Sequence, residues 1–81
     1  MIALKPENVV DVLFGNRLRQ LLDERNISQA HFADRIGVSR SRMNNYVAQR
    51  SEPDYATLIR IANTLDTSID FLLGKSEHQG L

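Results

Sequence analysis

The chain has 81 residues, a formal net charge of zero and no cysteine. This length suits one small domain, and the absence of cysteine excludes disulfides and thiolate metal sites. No apolar stretch approaches the roughly 20 residues needed to cross a bilayer, and the N-terminus lacks the apolar core of a signal peptide. We therefore expect a soluble cytoplasmic protein with no membrane partner.

Charge is unevenly distributed along the chain although the total is zero. Residues 27–50 carry four arginines against one aspartate, a net charge of +3. Residues 51–81 carry two positive and five negative side chains, a net charge of −3. A positive segment of this kind attracts nucleic acid, but an ordinary solvated surface can show the same pattern. Charge alone leaves both interpretations open.

The first helical pattern places apolar residues three or four positions apart. These residues are Val10, Phe14, Leu18, Leu21 and Leu22. Either Asn8 or Asn16 could cap the start of this helix, because Gly15 could divide a short N-terminal turn from the main helix. Asn26 is expected at its end.

Good N-cap residues precede four further helical patterns. They are Ser28, Ser39, Asp54 after Pro53, and either Thr67 or Ser68. The second and third helices are expected over 29–36 and 40–48, and the fifth is expected to end at Gly74. No strand-like alternation persists, so the sequence predicts an all-α domain of five short helices.

The connection between the second and third helices is very short, since it consists of Gly37, Val38 and Ser39. So short a connection forces the sharp crossing of a helix-turn-helix, roughly 90 to 120 degrees. A small residue, Ala33, is expected where the helices approach most closely, and Gly37 is expected in the left-handed backbone region. Met43 would then fill the wedge between the two helices.

Four segments carry a resemblance to a known family: NRLRQLLDERNISQ, FADRIGVSRSRM, EPDYATLIRIANTL and SIDFLLG. Residues 16–74 resemble the lambda-repressor-like helix-turn-helix family, also called the xenobiotic-response-element or Cro/CI-type family. The resemblance implies a compact five-helix DNA-binding domain over 16–74. Residues 1–15 would be an N-terminal extension, as a short helix or an arm, and residues 75–81 a frayed C-terminal tail. In such proteins the third helix enters the major groove of double-stranded DNA.

The resemblance also implies residue roles in DNA binding. By position, the base-reading candidates are Arg40, Ser41, Asn44 and Asn45, where Asn44 could serve instead of Asn45. Arg40 suits guanine O6 and N7, and Asn45 suits adenine N6 and N7. The phosphate-binding candidates are Gln29, Arg42, Arg50 and Ser51. Arg17 and Arg19 are weaker phosphate candidates, for which a role as solvated surface arginines is an equal alternative.

The sequence departs from the family pattern at several positions. Many members have arginine where Leu22 stands and glutamate where Val47 stands, which form an ion pair between the first and third helices. Because both positions are apolar here, we expect an apolar contact in its place. The family often has glycine where Gln49 stands, so the sequence does not determine how the third helix ends. His31 replaces a possible capping-box glutamate and is expected at the surface.

The family also implies a homodimer on a two-fold-related operator, with half-sites about one helical turn, roughly 34 Å, apart. The candidate dimer surface is the loop after Leu65 with helix five, including Asp66, Ile69 and Phe71. Burial of Phe71 in its own domain is the alternative for that residue.

We therefore expect a prokaryotic or phage-type, nucleoid-associated transcriptional regulator, acting as a repressor. The alternative is an antitoxin-like or anti-repressor-like module that uses the same fold to bind a protein partner. That alternative predicts an apolar patch on the exposed face of the third helix. An enzyme is not expected, because the chain lacks a glycine-rich phosphate loop, an HExxH motif and metal-ligand spacing. Neither a cofactor nor a metal is expected.

Overall fold

The computed structural model describes the backbone of residues 6–80 and the side chains of residues 13–80. The helices are α1 (Pro6–Glu24), α2 (Gln29–Ile36), α3 (Arg40–Val47), α4 (Tyr55–Leu65) and α5 (Ile69–Leu72). This part of the chain contains no strand, so the predicted all-α fold of five helices is confirmed. None of these helices has both the length and the apolar character of a membrane span.

The first helix runs without interruption through Gly15, so this glycine does not divide it and Asn16 is not its N-cap. Asn8 lies within the helix, outside the residues whose side chains are described. Gly15 lies where α1 approaches the end of α3, and an added Cβ would lie 2.8 Å from the carbonyl oxygen of Val47. The glycine therefore permits close packing of two helices. Residues 1–5 of the predicted extension lie outside the described residues.

The starts of α2 to α5 are capped by side-chain oxygens, as the sequence predicts. In each case the oxygen accepts a hydrogen bond of 2.8–3.0 Å from the backbone N–H three residues later. The caps are Ser28, Ser39, Asp54 and Ser68. For α5 the structure therefore selects Ser68 over Thr67. These bonds satisfy N–H groups that have no partner within the helix.

All five helices end in the same backbone arrangement, with one residue in the left-handed region after the last turn. These residues are Asn26, Gly37, Gln49, Asp66 and Gly74. The N–H of each donates to the carbonyl three residues earlier, and the next N–H donates to the carbonyl five residues earlier. This is the Schellman motif. The end of α3, which the sequence left open, therefore has Gln49 at a position that favours glycine.

The buried core joins α1, α2 and α3 where the sequence predicts it. Ala33 of α2 and Met43 of α3 are fully buried and belong to one apolar cluster. Leu22 and Val47 are also buried and belong to the same apolar cluster. Both positions are therefore apolar and buried, so no charge lies there without a partner. The direct contact between the two side chains stays a prediction.

Arg17 binds the C-terminal part of the domain. Its guanidinium donates to the carbonyl oxygens of Phe71 and Ser76, at 3.2 and 2.8 Å, and to the carboxylate of Glu77 at 3.0 Å. It also lies 4.4 Å from the centroid of the Phe71 ring. Stacking and hydrogen bonds together hold this arginine within the domain, so a phosphate-binding role for Arg17 is not supported.

Residues 76–79 are held against the domain, so the expectation of a frayed tail is wrong for them. The Thr67 hydroxyl and the Ser68 N–H both donate to the carbonyl oxygen of Gln79, each at 2.8 Å. The Ser68 hydroxyl donates to the carbonyl oxygen of His78 at 3.1 Å. These bonds satisfy polar groups at the start of α5.

Gly37→Ala tests the importance of the left-handed turn between α2 and α3. Gly37 has a φ of 79°, and a Cβ there would meet no atom within 4 Å, so only the backbone conformation opposes alanine. We expect the free energy of unfolding to fall by about 1 kcal/mol in urea denaturation. Gly80→Ala is the matched control, because Gly80 is equally open and has no positive φ. Equal stability of the two variants would contradict the account.

Candidate nucleic-acid interface

The exposed side of α3 is polar throughout. The helix buries Met43, Tyr46 and Val47, and its remaining side chains reach the surface. Those that reach the surface are Arg40, Ser41, Arg42 and Asn44, which are exposed, and Asn45, which is half-buried. Among the described residues, the exposed large apolar side chains are Tyr55 and Ile59, and both belong to α4. The apolar patch that a purely protein-binding α3 would show is therefore not found on this helix.

The predicted phosphate-binding residues lie at the starts of α2 and α3 and in the segment after α3. Gln29 is the first residue of α2 and is half-buried, whereas Arg42 is exposed in the first turn of α3. Arg50 and Ser51 are exposed in the segment that follows α3. Hydrogen-bond donors therefore stand before, within and after α3 in the sequence. Such an arrangement suits contacts to a phosphate backbone.

Arg40 forms an ion pair with Asp34 across the turn between α2 and α3. Its Nη2 lies 2.8 Å from Oδ2, and its Nε donates to Oδ1 at 3.3 Å. Both side chains stay largely in solvent, with exposed fractions of 67% for Arg40 and 57% for Asp34. Sequence reasoning treated Asp34 only as one negative charge and missed this contact. The contact spans six residues and depends on the fold of the turn rather than on a helical repeat.

Hydrogen bonding changes the acid–base properties of both partners. The pKa of the Asp34 carboxyl is lowered, chiefly because Arg40 donates to the carboxylate, and the positive charge of the arginine adds to this effect. The same bond raises the pKa of the Arg40 guanidinium. The two groups thus favour each other's charged forms, which keeps the pair intact at neutral pH.

The two arginines at the start of α3 are associated with different neighbouring elements. Arg40 binds Asp34 of α2. The pKa of Asp54, the N-cap of α4, is lowered chiefly by hydrogen bonding from Thr57, and the positive charges of Arg42 and Arg60 add to this effect.

Asn45 also has a partner within the protein. The Nε of Arg50 donates to the Asn45 side-chain oxygen at 3.1 Å. Bidentate reading of adenine requires this oxygen as an acceptor and the amide nitrogen as a donor. Asn45 could therefore read adenine through the second lone pair of the oxygen, or after release of Arg50. Asn44 is exposed, so the choice between these two asparagines stays a prediction.

The predicted dimer surface is divided by the structure. Phe71 has an exposed fraction of only 3%, so it is buried in its own domain, which is the second of the two alternatives for this residue. Asp66 is exposed at the end of α4, and Ile69 is half-buried at the start of α5. These two residues remain candidates for contact with a second copy. His31 is exposed, as expected.

The Arg40–Asp34 pair predicts an acidic titration. In NMR, the Asp34 carboxyl should titrate below the ordinary aspartate value of about 3.9, and Arg40→Ala should return its pKa towards that value. Because the folded pKa lies below the unfolded one, the pair stabilises the fold above the unfolded pKa. That contribution is lost as the pH falls through the folded pKa. Arg35→Ala, the control, should leave the Asp34 midpoint low. An Asp34 titration that Arg40→Ala does not change would contradict the pairing.

Comparisons with known proteins agree with this geometry. A model of the helix-turn-helix family matches residues 18–72. Two Bacillus subtilis proteins are each 38% identical to this chain over 61 residues, which are 75% of it. One is the uncharacterized HTH-type transcriptional regulator YqaE, of which 53% is covered. The other is the SPbeta prophage-derived uncharacterized HTH-type transcriptional regulator YonR, of which 56% is covered.

The HTH-type transcriptional regulator ImmR of the same organism is 30% identical over 63 residues, 78% of this chain and 50% of ImmR. The chain thus spans about half the length of these relatives. No solved structure is significantly similar to it. The family match agrees with the prediction of a non-enzymatic domain. The chain belongs to the Cro/CI-type, lambda-repressor-like helix-turn-helix family.

Proposed function

We propose that the chain is a sequence-specific, double-stranded DNA-binding transcriptional regulator that reads the major groove with α3. The observation that carries the proposal is the polar exposed side of α3. The opposite side of the helix is apolar and buried, and it holds α3 against the domain. Two arginines, a serine and two asparagines on this side supply both donors and acceptors. Base edges in the major groove are read by such groups.

Residues of α3 would contact the bases, and residues in and around α3 would contact the phosphates. We assign base reading to Arg40, Ser41, Asn44 and Asn45, and phosphate contacts to Gln29, Arg42, Arg50 and Ser51. The positive segment 27–50 would face the DNA, and the acidic side chains after Ser51 would be repelled by it. Such a charge asymmetry orients the domain before contact and makes affinity depend on salt.

The proposal includes a homodimer and a repressive effect. A helix of only eight residues reads few base pairs, and two copies on a two-fold-related operator double the site that is read. Asp66 and Ile69, at the α4–α5 junction, are the proposed contact residues. An operator-bound dimer excludes other proteins from the same stretch of DNA, which favours repression. Such a regulator would act in the cytoplasm, associated with the nucleoid.

One observation favours a protein partner in addition to DNA. Tyr55 has an exposed fraction of 86% and Ile59 of 49%, and the two lie one turn apart on α4. Exposed apolar side chains at this spacing suit contact with another protein. They belong to a different helix from the proposed base-reading residues, although Tyr55 lines one cavity with the proposed phosphate-binding residues Arg50 and Ser51.

Selection of bound duplexes from a random DNA pool, at physiological salt of about 0.15 M, tests the proposal. We expect enrichment of a two-fold-related motif with half-site centres about 10 base pairs apart. Recovery of unrelated sequences at every round would contradict sequence-specific binding. A single half-site without a symmetric partner would contradict the dimer while leaving base reading intact.

Arg40→Ala should relax preference at one base pair per half-site. Loss of a bidentate contact to guanine is expected to reduce discrimination at that pair by roughly 5- to 150-fold, measured by competition between duplexes that differ only there. Arg35→Ala removes the same charge from an exposed position of α2, so it should leave the base preference unchanged. An unaltered preference in the Arg40 variant would remove this residue from the reading role.

Arg50→Ala should weaken binding by a similar factor on duplexes that share the base pair read by Asn45, the residue to which Arg50 donates. If Arg50 contacts one phosphate, the slope of log affinity against log salt becomes shallower by about one unit. The control is Lys75→Ala, which removes the same charge from an exposed residue after α5. A salt slope that Arg50→Ala and Lys75→Ala change equally would refute the phosphate contact.

A further inference from the structure

The ion pair between Asp34 and Arg40 uses a defined edge of the guanidinium. An arginine presents its five N–H donors as two edges, one formed by Nε and Nη2 and the other by Nη1 and Nη2. Asp34 accepts from Nε at 3.3 Å and from Nη2 at 2.8 Å, so it occupies the first edge. The second edge still has two parallel N–H donors. A guanine offers O6 and N7 as two adjacent acceptors in the major groove, which this second edge fits.

We propose that Asp34 is a positioning residue for DNA recognition, which holds Arg40 by one edge so that the other edge is presented to a guanine. This inference rests on the proposed function. The carboxylate belongs to α2 and the guanidinium to the first residue of α3, so the pair connects the two helices of the DNA-binding unit. Asp34 would therefore contribute to specificity without itself contacting a base.

The physical effect is a reduced loss of side-chain freedom on binding. A long exposed arginine samples many rotamers, and a base contact fixes it in one. In the free protein Arg40 is already tied to Asp34 although its exposed fraction is 67%. Part of the ordering has therefore occurred before DNA arrives, and the rigid fork is oriented relative to α2 as well as α3.

A second effect comes from the charge of Asp34. Its side chain has an exposed fraction of 57%, at the same end of α3 as the proposed reading residues. A carboxylate there repels the phosphate backbone of any duplex, whatever its sequence. This repulsion weakens binding to all DNA. On the operator, the better-positioned contact of Arg40 with its base offsets part of the loss. Both effects raise the ratio of specific to non-specific binding.

The experiment compares Asp34→Ala, Asp34→Asn, Arg40→Ala and the double variant Asp34→Ala with Arg40→Ala. Dissociation constants are measured at one salt concentration on three duplexes: the selected operator, the operator changed only at the base pair that Arg40→Ala relaxes, and an unrelated sequence. Urea midpoints establish that each variant is folded. Asp23→Ala is the control for charge, because Asp23 is an exposed aspartate of α1.

We expect Asp34→Ala to reduce discrimination at that base pair about two- to fivefold, the range of an exposed ion pair, and to leave other base pairs unaffected. Affinity for the unrelated duplex should not fall. Asp34→Asn removes the same charge but keeps one acceptor oxygen, so its discrimination should lie between those of the unaltered chain and Asp34→Ala. In the Arg40→Ala background, Asp34→Ala should no longer affect this base pair.

Three results would overturn the inference. Unchanged discrimination in Asp34→Ala would show that Arg40 needs no positioning, and an equal effect of Asp23→Ala would reduce the role to charge. An effect that persists without Arg40 would mean that Asp34 reads a base itself. If the unaltered chain does not distinguish operator from unrelated DNA, the proposed function fails together with the positioning role. If it does distinguish them while Asp34→Ala has no effect, only the positioning role fails.

Discussion

The left-handed turn at Gly37 is the constraint on which the rest of the site depends. It ends α2 in a Schellman motif, and Ser39 caps α3 only two residues later. Because the connection is so short, Ala33 and Met43 must pack against each other's helices, which fixes the buried side of α3. The polar side of α3 is thereby held at the surface. The same turn brings Asp34 within hydrogen-bonding distance of Arg40.

Hydrogen bonds at the helix ends contribute to the stability of this small domain. A chain this short buries only about 60% of the surface that its unfolded form exposes, so its apolar core is limited. Side-chain caps at four helix starts and Schellman motifs at five helix ends satisfy backbone groups that would otherwise lack partners. Asn26, Gln49 and Asp66 accept the left-handed backbone without being glycine. The α3 end at Gln49 shows that the motif tolerates such a residue when the hydrogen bonds are complete.

Much of the fold could be predicted from the sequence because caps, turns and apolar spacing act over a few residues. Ser28, Ser39 and Gly37 have the predicted roles for this reason. The role of Gly15 was left open, since it depends on the approach of α3, which is distant in sequence. Neither alternative given for Arg17 is correct, because its partners lie more than 50 residues away. In the site, exposure of α3 was predictable, but the Arg40–Asp34 and Asn45–Arg50 contacts required the folded geometry.

The central claim is that the polar side of α3 binds DNA. Mapping of backbone amide chemical shifts during titration with a selected duplex tests it most directly. The account predicts the largest changes in residues 39–45 and 49–51, with smaller changes at the start of α2. Changes centred on Tyr55 and Ile59 of α4, with α3 unaffected, would contradict it and would locate the binding surface on the exposed side of that helix instead.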